Sequence, residues 1–318
     1  MKKILLLIIV ALPLLSFGQA KKVLRKALRT TDLNERIKLL NQVITEEPKN
    51  LDAYFYRATA KNDLGDYGGA IVDYSKIIVE DPDADTYYNR GNSKYSLKDF
   101  TGAKMDYAKA HMLDENFIDA LYSLACVELD LEQYDNAIAD FSSLIKQVPD
   151  SPNVYALRAI AYKATEQNTE AIKDYSLAIA LDPSADNYYN RGAFLMDIKY
   201  FKEAQSDLTR SLRLNRNNAF GYFYRGGSYL FLGEFDKSIS DFTKATTFDT
   251  MDFDAYLGLA MAYLKNNDIA NAKLNFDRAN AILSLKKITN IGQYENTYWY
   301  QNQYYYFNNL ITELAKIK

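Results

Sequence analysis

The sequence contains one cysteine and one histidine among its 318 residues. Cys126 has no intramolecular partner, so the folded chain is stabilised by packing rather than by disulfide bonds. We interpret Cys126 as a small apolar side chain on a packed helix, and a reactive thiol is the alternative. A histidine-based catalytic triad would have to be built on His111, and no Cys/His cluster could hold a metal ion.

The short motifs of common catalytic and nucleotide-binding sites are also absent. The sequence has no G-x-S-x-G, H-E-x-x-H, G-x-x-x-x-G-K-[ST] or G-x-G-x-x-G. Carboxylates are abundant, but they recur at a fixed spacing. Such a recurrence is typical of residues with a repeated structural role rather than of a single catalytic acid–base pair. We therefore predict that the protein is not an enzyme and uses neither a cofactor nor a metal. An enzyme of unrecognised type is the alternative.

The chain has few turn-forming residues and no excess of positive charge. There are 6 Pro and 13 Gly against 27 Tyr and 16 Phe, which indicates few turns. The chain is 48% hydrophobic and 25% charged, the composition of a globular protein. Its net charge is −3, and loss of Lys2 and Lys3 would leave −5. This argues against nucleic acid as a partner, because binding to a phosphate backbone needs a basic surface.

The only long apolar run lies at the start of the chain. Residues 1–18 combine a charged beginning with the apolar run Ile4–Leu15, and cleavage is expected after Gly18 or Ala20. A helix of this run rises about 18 Å, too short for a bilayer core of about 30 Å. We expect a signal peptide and an exported protein, periplasmic or secreted, of a bacterial envelope. A retained N-terminal anchor is the alternative.

No membrane anchor is expected in the mature chain. No cysteine lies near the cleavage site, which excludes a bacterial lipoprotein anchor, and no later stretch is long and apolar enough to span a membrane.

A segment of eleven residues occurs twice with small changes, as DPDADTYYNRG at residues 81–91 and as DPSADNYYNRG at residues 182–192. The small residue after its arginine belongs to a series with steps of 33 or 34 residues. That series is Ala58, Gly91, Ala125, Ala159, Gly192, Gly226 and Ala260. Self-similarity at this period predicts a stack of structural repeats.

Each repeat has the pattern of two helices joined by a short turn. In residues 51–83, Tyr54 and Ala58 share one helical face, and Ala70 and Tyr74 share another. Gly65 separates the two helices. Counting residue 51 as position 1, every repeat has a small residue at positions 8 and 20, and large or aromatic residues recur at positions 4, 17 and 24.

This pattern resembles the tetratricopeptide repeat family over residues 51–286. The resemblance implies an all-α, right-handed superhelical solenoid of antiparallel helix pairs. We predict seven repeats, at 51–83, 84–117, 118–151, 152–184, 185–218, 219–252 and 253–286. A degenerate repeat is predicted at 19–50, and a C-terminal capping helix at 287–318, with an apolar stripe from Tyr300 through Phe307 to Leu314.

A charge pair recurs with the repeats. Arg occupies position 7 in five of them and Asp occupies position 23 in six. We predict an Arg–Asp pair between the two helices of one repeat. The alternative is that each Asp meets the Arg of the following repeat.

In the family, the first helices line a concave groove that binds peptides, and positions 2, 5, 6, 9, 12 and 13 face it. Rigid aromatic rings supply contact area at little entropic cost, and Asn can both donate to and accept from an extended backbone. The candidate groove residues are Phe55, Tyr88, Asn89, Tyr122, Tyr189, Asn190 and Phe223.

The predicted groove is acidic. Asp recurs at positions 2 and 13, although those at position 2 also suit the first turn of a helix. Groove cations are few, mainly Lys163 and Lys265, so the carboxylate clamp of some family members is not expected. We predict a non-catalytic scaffold for a neutral or basic protein segment, acting in envelope assembly or complex formation. Self-association through the C-terminal helix is the alternative.

Overall fold

The computed structural model describes residues 19–285, 295 and 297–317, which fall into two compact units, residues 1–149 and 150–318. The predicted signal peptide, residues 1–18, lies outside the described residues. Every regular element in the described part of the chain is a helix, as the repeat pattern predicts. The all-α fold of antiparallel helix pairs is confirmed.

The helices follow one another at the period of the sequence. Those of the N-terminal unit are α1 (19–29), α2 (Leu33–Glu46), α3 (Leu51–Asp63), α4 (Tyr67–Glu80), α5 (Ala84–Ser96), α6 (Phe100–Leu113), α7 (Ile118–Asp130) and α8 (Tyr134–Gln147). Those of the C-terminal unit are α9 (Pro152–Ala164), α10 (Asn168–Leu181), α11 (Ala185–Asp197), α12 (Phe201–Leu214), α13 (Ala219–Phe231), α14 (Phe235–Phe248), α15 (Phe253–Lys265), α16 (Ile269–Leu285), α17 (Tyr298–Asn302) and α18 (Tyr304–Leu314).

Small residues allow the two helices of each repeat to approach. Ala58 on α3 is fully buried against a cluster that contains Tyr74 of α4. Where position 8 is glycine, the fit is tighter still, because a Cβ on Gly91 would stand 2.7 Å from the ring of Tyr107. The small residue at position 8 of the first helix therefore packs directly against the large residue at position 24 of the second helix.

The turn between the helices of a repeat has one backbone conformation throughout. Position 15 has a positive φ in every repeat, at Gly65, Lys98, Glu132, Glu166, Lys199, Gly233 and Asn267. Five of these residues are not glycine, so the chain accepts a left-handed conformation at side chains that disfavour it. Asp66 and Asp99 follow such turns and cap α4 and α6 by accepting main-chain N–H groups of Gly69 and Gly102.

The recurring charge pair joins the two helices of the same repeat. In each of the five, the arginine Nε and one Nη donate to the two oxygens of the aspartate sixteen residues later. The prediction is confirmed and its alternative is wrong. The third guanidinium nitrogen of Arg90 donates to Ser75 of the preceding repeat at 3.0 Å, so the arginine also ties neighbouring repeats together.

Residues 118–151 depart from this scheme. Leu124 stands where the arginine would be, and Asp140 lies beside Glu128, whose carboxylate is 3.0 Å from the ammonium of Lys104. Burial raises the pKa of both carboxyl groups. This part of the N-terminal unit thus contains a buried and a half-buried acid in place of an Arg–Asp pair.

The C-terminal segment differs from the predicted single capping helix. Its described part is two helices, α17 and α18, separated at Gln303, whose φ of −132° and ψ of 37° are not helical. Phe307, Leu310 and Leu314 of α18 are buried with α15 and α16, while Tyr304 is 44% exposed. Residues 287–294, 296 and 318 of the predicted cap lie outside the described residues.

Within the described residues, no helix is both long and apolar enough to span a bilayer. The same part of the chain holds no group of three His, Cys, Asp or Glu side chains placed to bind a metal ion.

Candidate peptide-binding face

We define the first-helix face as the surface formed by positions 2, 5, 6, 9, 12 and 13 of the first helices of the repeats. In the N-terminal unit these helices are α3, α5 and α7. Phe55, Tyr88 and Tyr122 occupy position 5 and are half-buried. The ring of Tyr88 lies 5.8 Å from that of Tyr107 and 4.9 Å from that of Phe117. One part of the ring thus covers the core while the rest remains accessible.

Tyr122 and Cys126 lie one turn apart on α7 and interact through their side chains. Burial raises the pKa of the Cys126 thiol to about 11, so the thiol is protonated at neutral pH. A protonated, half-buried thiol is a poor nucleophile. The interpretation of Cys126 as a packing residue is therefore favoured over a reactive one.

Polar side chains of the face are held by hydrogen bonds within the unit. Tyr95 donates its hydroxyl to Asp130 at 2.6 Å, and this bond is the main reason that the pKa of Tyr95 is raised to about 12. Asn62 accepts from the Ser93 hydroxyl at 2.8 Å. Such bonds fix side chains before any ligand arrives, which lowers the entropy lost on binding.

Asn89 donates its amide nitrogen to the main-chain carbonyl of Asp85 at 2.8 Å. This bond orients the side chain and uses one of its two N–H groups. The second N–H and the carbonyl oxygen of the same amide are the groups that an extended backbone could pair with.

On α3, α5 and α7, the accessible charges of this face are carboxylates. Asp52, Asp85 and Asp119 lie in the first turns of α3, α5 and α7, as predicted, and are exposed. Asp63 and Asp130 at position 13 are exposed as well. Lys61 and Lys94 instead reach toward Asp73 and Asp106 of the second helices, each at 2.8 Å. The face is consequently acidic at neutral pH.

In the C-terminal unit the corresponding surface is partly covered by the chain itself. The sequence predicts that Phe223 faces an open groove, but its side chain is only 6% exposed. Its ring lies 5.1 Å from Tyr298 and 5.8 Å from Trp299 of α17. That expectation is wrong for Phe223, because the C-terminal segment packs over it.

Tyr189 and Asn190 on α11 are half-buried at the edge of this contact. The ring of Tyr189 is 6.0 Å from that of Tyr224, which in turn contacts Tyr298. Burial raises the pKa of Tyr189 to about 12. The role of Phe55, Tyr88, Asn89, Tyr122, Tyr189 and Asn190 in ligand contact stays a prediction.

The residues that sequence reasoning missed are those of α17 and its docking site. Trp299 is fully buried and donates its indole N–H to the main-chain carbonyl of Asp254 at 2.8 Å. Gly227 and Gly258 lie beneath it, at positions 9 and 6 of their repeats. The sequence does contain a signal for this contact. Among the seven repeats, glycine occurs once at position 6 and once at position 9, and the single tryptophan of the chain lies outside the repeats.

Comparison with known proteins agrees with this architecture. Models described as Tetratricopeptide repeat match residues 84–117, 122–186, 185–218 and 253–282, together about half of the chain. The chain belongs to the tetratricopeptide repeat family.

Its curated relatives are much longer proteins. Human "Tetratricopeptide repeat protein 13" is 31% identical over 134 residues, which are 42% of this chain and 16% of the relative. Human "Serine/threonine-protein phosphatase 5" is 33% identical over 119 residues, which are 37% of this chain and 23% of the relative. The chain thus spans less than a quarter of the length of these relatives.

Solved structures share the fold at low sequence identity. A tetratricopeptide repeat protein from Parabacteroides merdae ATCC 43184 has a TM-score of 0.57 at 18% identity, with 77% of this chain and 99% of that chain covered. MamA from Desulfovibrio magneticus RS-1 has a TM-score of 0.51 at 22% identity, with 54% and 97% covered. At these identities the likeness shows the fold alone.

Proposed function

We propose that this protein is a non-catalytic scaffold that binds an extended, neutral or basic protein segment on the first-helix face of its N-terminal unit. The observation that carries the proposal is the composition of that face. Half-buried aromatic rings lie at position 5 of α3, α5 and α7, and exposed carboxylates lie at position 2 of all three helices and at position 13 of α3 and α7. Rigid aromatic anchors within a polar rim are the usual composition of a protein-binding surface.

The negative charge of the face determines which charge its partner should carry. Asp63 and Asp130 are exposed on α3 and α7, whereas Lys61 and Lys94 are engaged with buried aspartates. A segment with Lys or Arg side chains is therefore attracted, and an acidic segment is repelled. Attraction between exposed charges weakens with ionic strength, so binding falls as salt is added.

Selection of peptides from a random display library against the full chain tests the proposal. We expect enrichment of Lys- or Arg-containing segments with few acidic residues. The double variant Asp63→Asn/Asp130→Asn is expected to reduce the salt dependence of their binding. Asp150→Asn, an exposed carboxylate of the loop before α9, is the matched control. Enrichment of acidic peptides, or of none at all, would contradict the proposal.

We also propose that the protein is exported and acts in a bacterial envelope. The support is the pattern of residues 1–18 together with the position of α1. Helix α1 includes Gln19, and Ala20 is fully buried, so cleavage after Gly18 retains both residues whereas cleavage after Ala20 removes them. Cell fractionation and the intact mass of the mature chain test both points. A cytoplasmic chain that retains Met1 would contradict the proposal.

Self-association is a second candidate, favoured by one observation. Tyr304 and Tyr305 of α18 are 44% and 81% exposed. Light scattering of the full chain and of the variant Tyr304→Ser/Tyr305→Ser distinguishes the two roles. A dimer that the substitutions dissociate would support self-association, whereas a monomer in both samples would exclude it.

A further inference from the structure

The C-terminal segment Thr297–Gln303, which includes α17, lies across the first helices α11, α13 and α15. Tyr298 packs on Tyr224, and Gln303 donates its amide N–H to the main-chain carbonyl of Met196 at 3.4 Å. Trp299 packs beside Phe231. The contacted residues include all six positions of the first-helix face, at Asp254, Phe223, Tyr224, Gly258, Gly227, Met196 and Phe231. The segment therefore lies where a bound peptide is proposed to lie in the N-terminal unit.

Trp299 occupies a pocket that is shaped for it. Its indole is fully buried and lies 5.8 and 6.0 Å from the rings of Phe223 and Phe242. A Cβ on Gly258 would stand 2.8 Å from Cζ2 of the indole, so a larger residue there would leave no room. The indole N–H is satisfied by a main-chain carbonyl, as a buried tryptophan requires.

The two glycines that form the pocket have no counterpart on α3, α5 and α7. In the N-terminal unit, position 6 is Tyr56, Asn89 or Ser123, and position 9 is Thr59, Asn92 or Cys126. None of these is glycine, so the same indole could not approach those helices as closely. The packing of α17 is also distinct from that of α18, whose apolar side chains cover α15 and α16.

We propose that the first-helix face of α11, α13 and α15 is a binding site for a Tyr-Trp segment, and that Thr297–Gln303 is its internal ligand. This inference rests on the proposed binding role of the first-helix positions. The site takes the indole into the glycine pocket, and its main-chain carbonyls at Asp254 and Met196 accept hydrogen bonds from the indole N–H and from the side-chain amide of Gln303. While the internal segment is bound, an external segment is excluded from this unit and binds only to the N-terminal one.

The test uses the fact that Trp299 is the only tryptophan of the chain. The full-length variant Trp299→Ala has no indole fluorescence and an empty pocket. A synthetic peptide of residues 295–305, ENTYWYQNQYY, then carries the only tryptophan in the mixture. We expect this peptide to bind the Trp299→Ala chain saturably, with a blue shift of its tryptophan emission. We expect a fluorescein-labelled form of the same peptide not to bind the wild-type chain.

Three controls complete the experiment. Gly227→Leu in the Trp299→Ala chain fills the pocket from α13, where the nearest obstacle is the flexible end of Met196, and should weaken peptide binding about thirtyfold. Tyr88→Leu/Tyr122→Leu in the same chain should leave peptide binding unchanged, because these residues belong to the proposed external site. Trp299→Leu, which keeps an apolar side chain in the pocket, repeats the test in a chain with less lost packing.

The outcomes separate this inference from the proposed function. If neither tryptophan variant binds the peptide, or if the wild-type chain binds it equally well, the internal-ligand proposal is wrong while the N-terminal face is unaffected. If only Tyr88→Leu/Tyr122→Leu abolishes binding, the Tyr-Trp segment is a ligand of the N-terminal face instead.

Discussion

Arg158 and Asp174, which lie sixteen residues apart on α9 and α10, are joined by two parallel hydrogen bonds of 2.7 and 2.8 Å. The aspartate side chain is only 3% exposed, and the arginine side chain 16%. Removing the cation would leave a buried carboxylate without its partner, which is far more costly than the loss of a surface ion pair. The same geometry in five repeats makes this pair a structural element.

The first prediction concerns the cost of breaking the pair. Arg158→Leu is expected to destabilise the chain by about 3–5 kcal/mol. Arg90→Leu should cost less, because Lys94 remains 2.8 Å from the carboxylate of Asp106. Hydrogen exchange of the helices in the affected repeat measures the local free energy of unfolding.

The exposed pair of Lys76 and Glu80 on α4 provides the control for these substitutions. Lys76→Ala is expected to change stability by less than about 0.5 kcal/mol. Equal losses for Arg90→Leu and Arg158→Leu would contradict the account, because they would mean that the second cation contributes nothing.

The second prediction concerns pH and the neighbouring acids Glu128, which is buried, and Asp140, which is half-buried. Burial raises the pKa of both carboxyl groups above the unfolded values, which are about 4. Their stabilising contribution is therefore complete below pH 4 and is lost as pH rises through the raised folded-state pKa values. Glu128→Gln should increase stability to urea at pH 8, and this gain should shrink toward pH 5. Asp150→Asn is the control for the loss of one surface charge. If the stability gained by Glu128→Gln grew as the pH was lowered, the pKa of Glu128 would be lowered in the folded state and the prediction would be wrong.

The third prediction concerns the left-handed turn residue of residues 84–117. Lys98 has a φ of 62°, where its Cβ is crowded by the backbone and glycine has no such penalty. Lys98→Gly is expected to stabilise the chain by about 0.5–1 kcal/mol, after the greater entropy of glycine in the unfolded chain is included. Lys98→Ala retains the Cβ and should give no gain. Urea unfolding of the three chains decides the point, and a loss of stability with glycine would refute it.

The periodic part of the fold could be predicted from the sequence because each contact is repeated. Ala58 packs near Tyr74, Gly91 packs on Tyr107, and the same two positions recur at steps of 33 or 34 residues. The Arg–Asp pair was visible for the same reason, since both residues recur at fixed positions.

The docking of α17 could not be predicted in this way. Trp299 contacts residues 41 to 76 positions earlier in the chain, at Gly258 and Phe223, and this contact is made only once. A repeat pattern describes neighbouring repeats and contains no information on a segment outside the period. The sequence spacing predicts that Tyr300 and Tyr304 lie on a single helical stripe, but the non-helical backbone at Gln303 interrupts the helix.

The candidate site was predictable by position but not by accessibility. Tyr88 and Tyr122 remain half-buried, whereas Phe223 at the same position is covered by Tyr298 and Trp299. Whether a position is open depends on what packs over it, and that is determined by the tertiary structure.

The affinity of a selected peptide for the double variant Tyr88→Leu/Tyr122→Leu tests the central claim most directly. Leucine already occupies position 5 at Leu257, so it should preserve packing against the second helix while removing the aromatic anchors. Titration calorimetry is predicted to show binding weakened by about thirtyfold or more. Tyr200→Leu, a 53% exposed tyrosine in the turn before α12, should bind like the wild type. An unchanged affinity in the Tyr88→Leu/Tyr122→Leu chain would contradict the account.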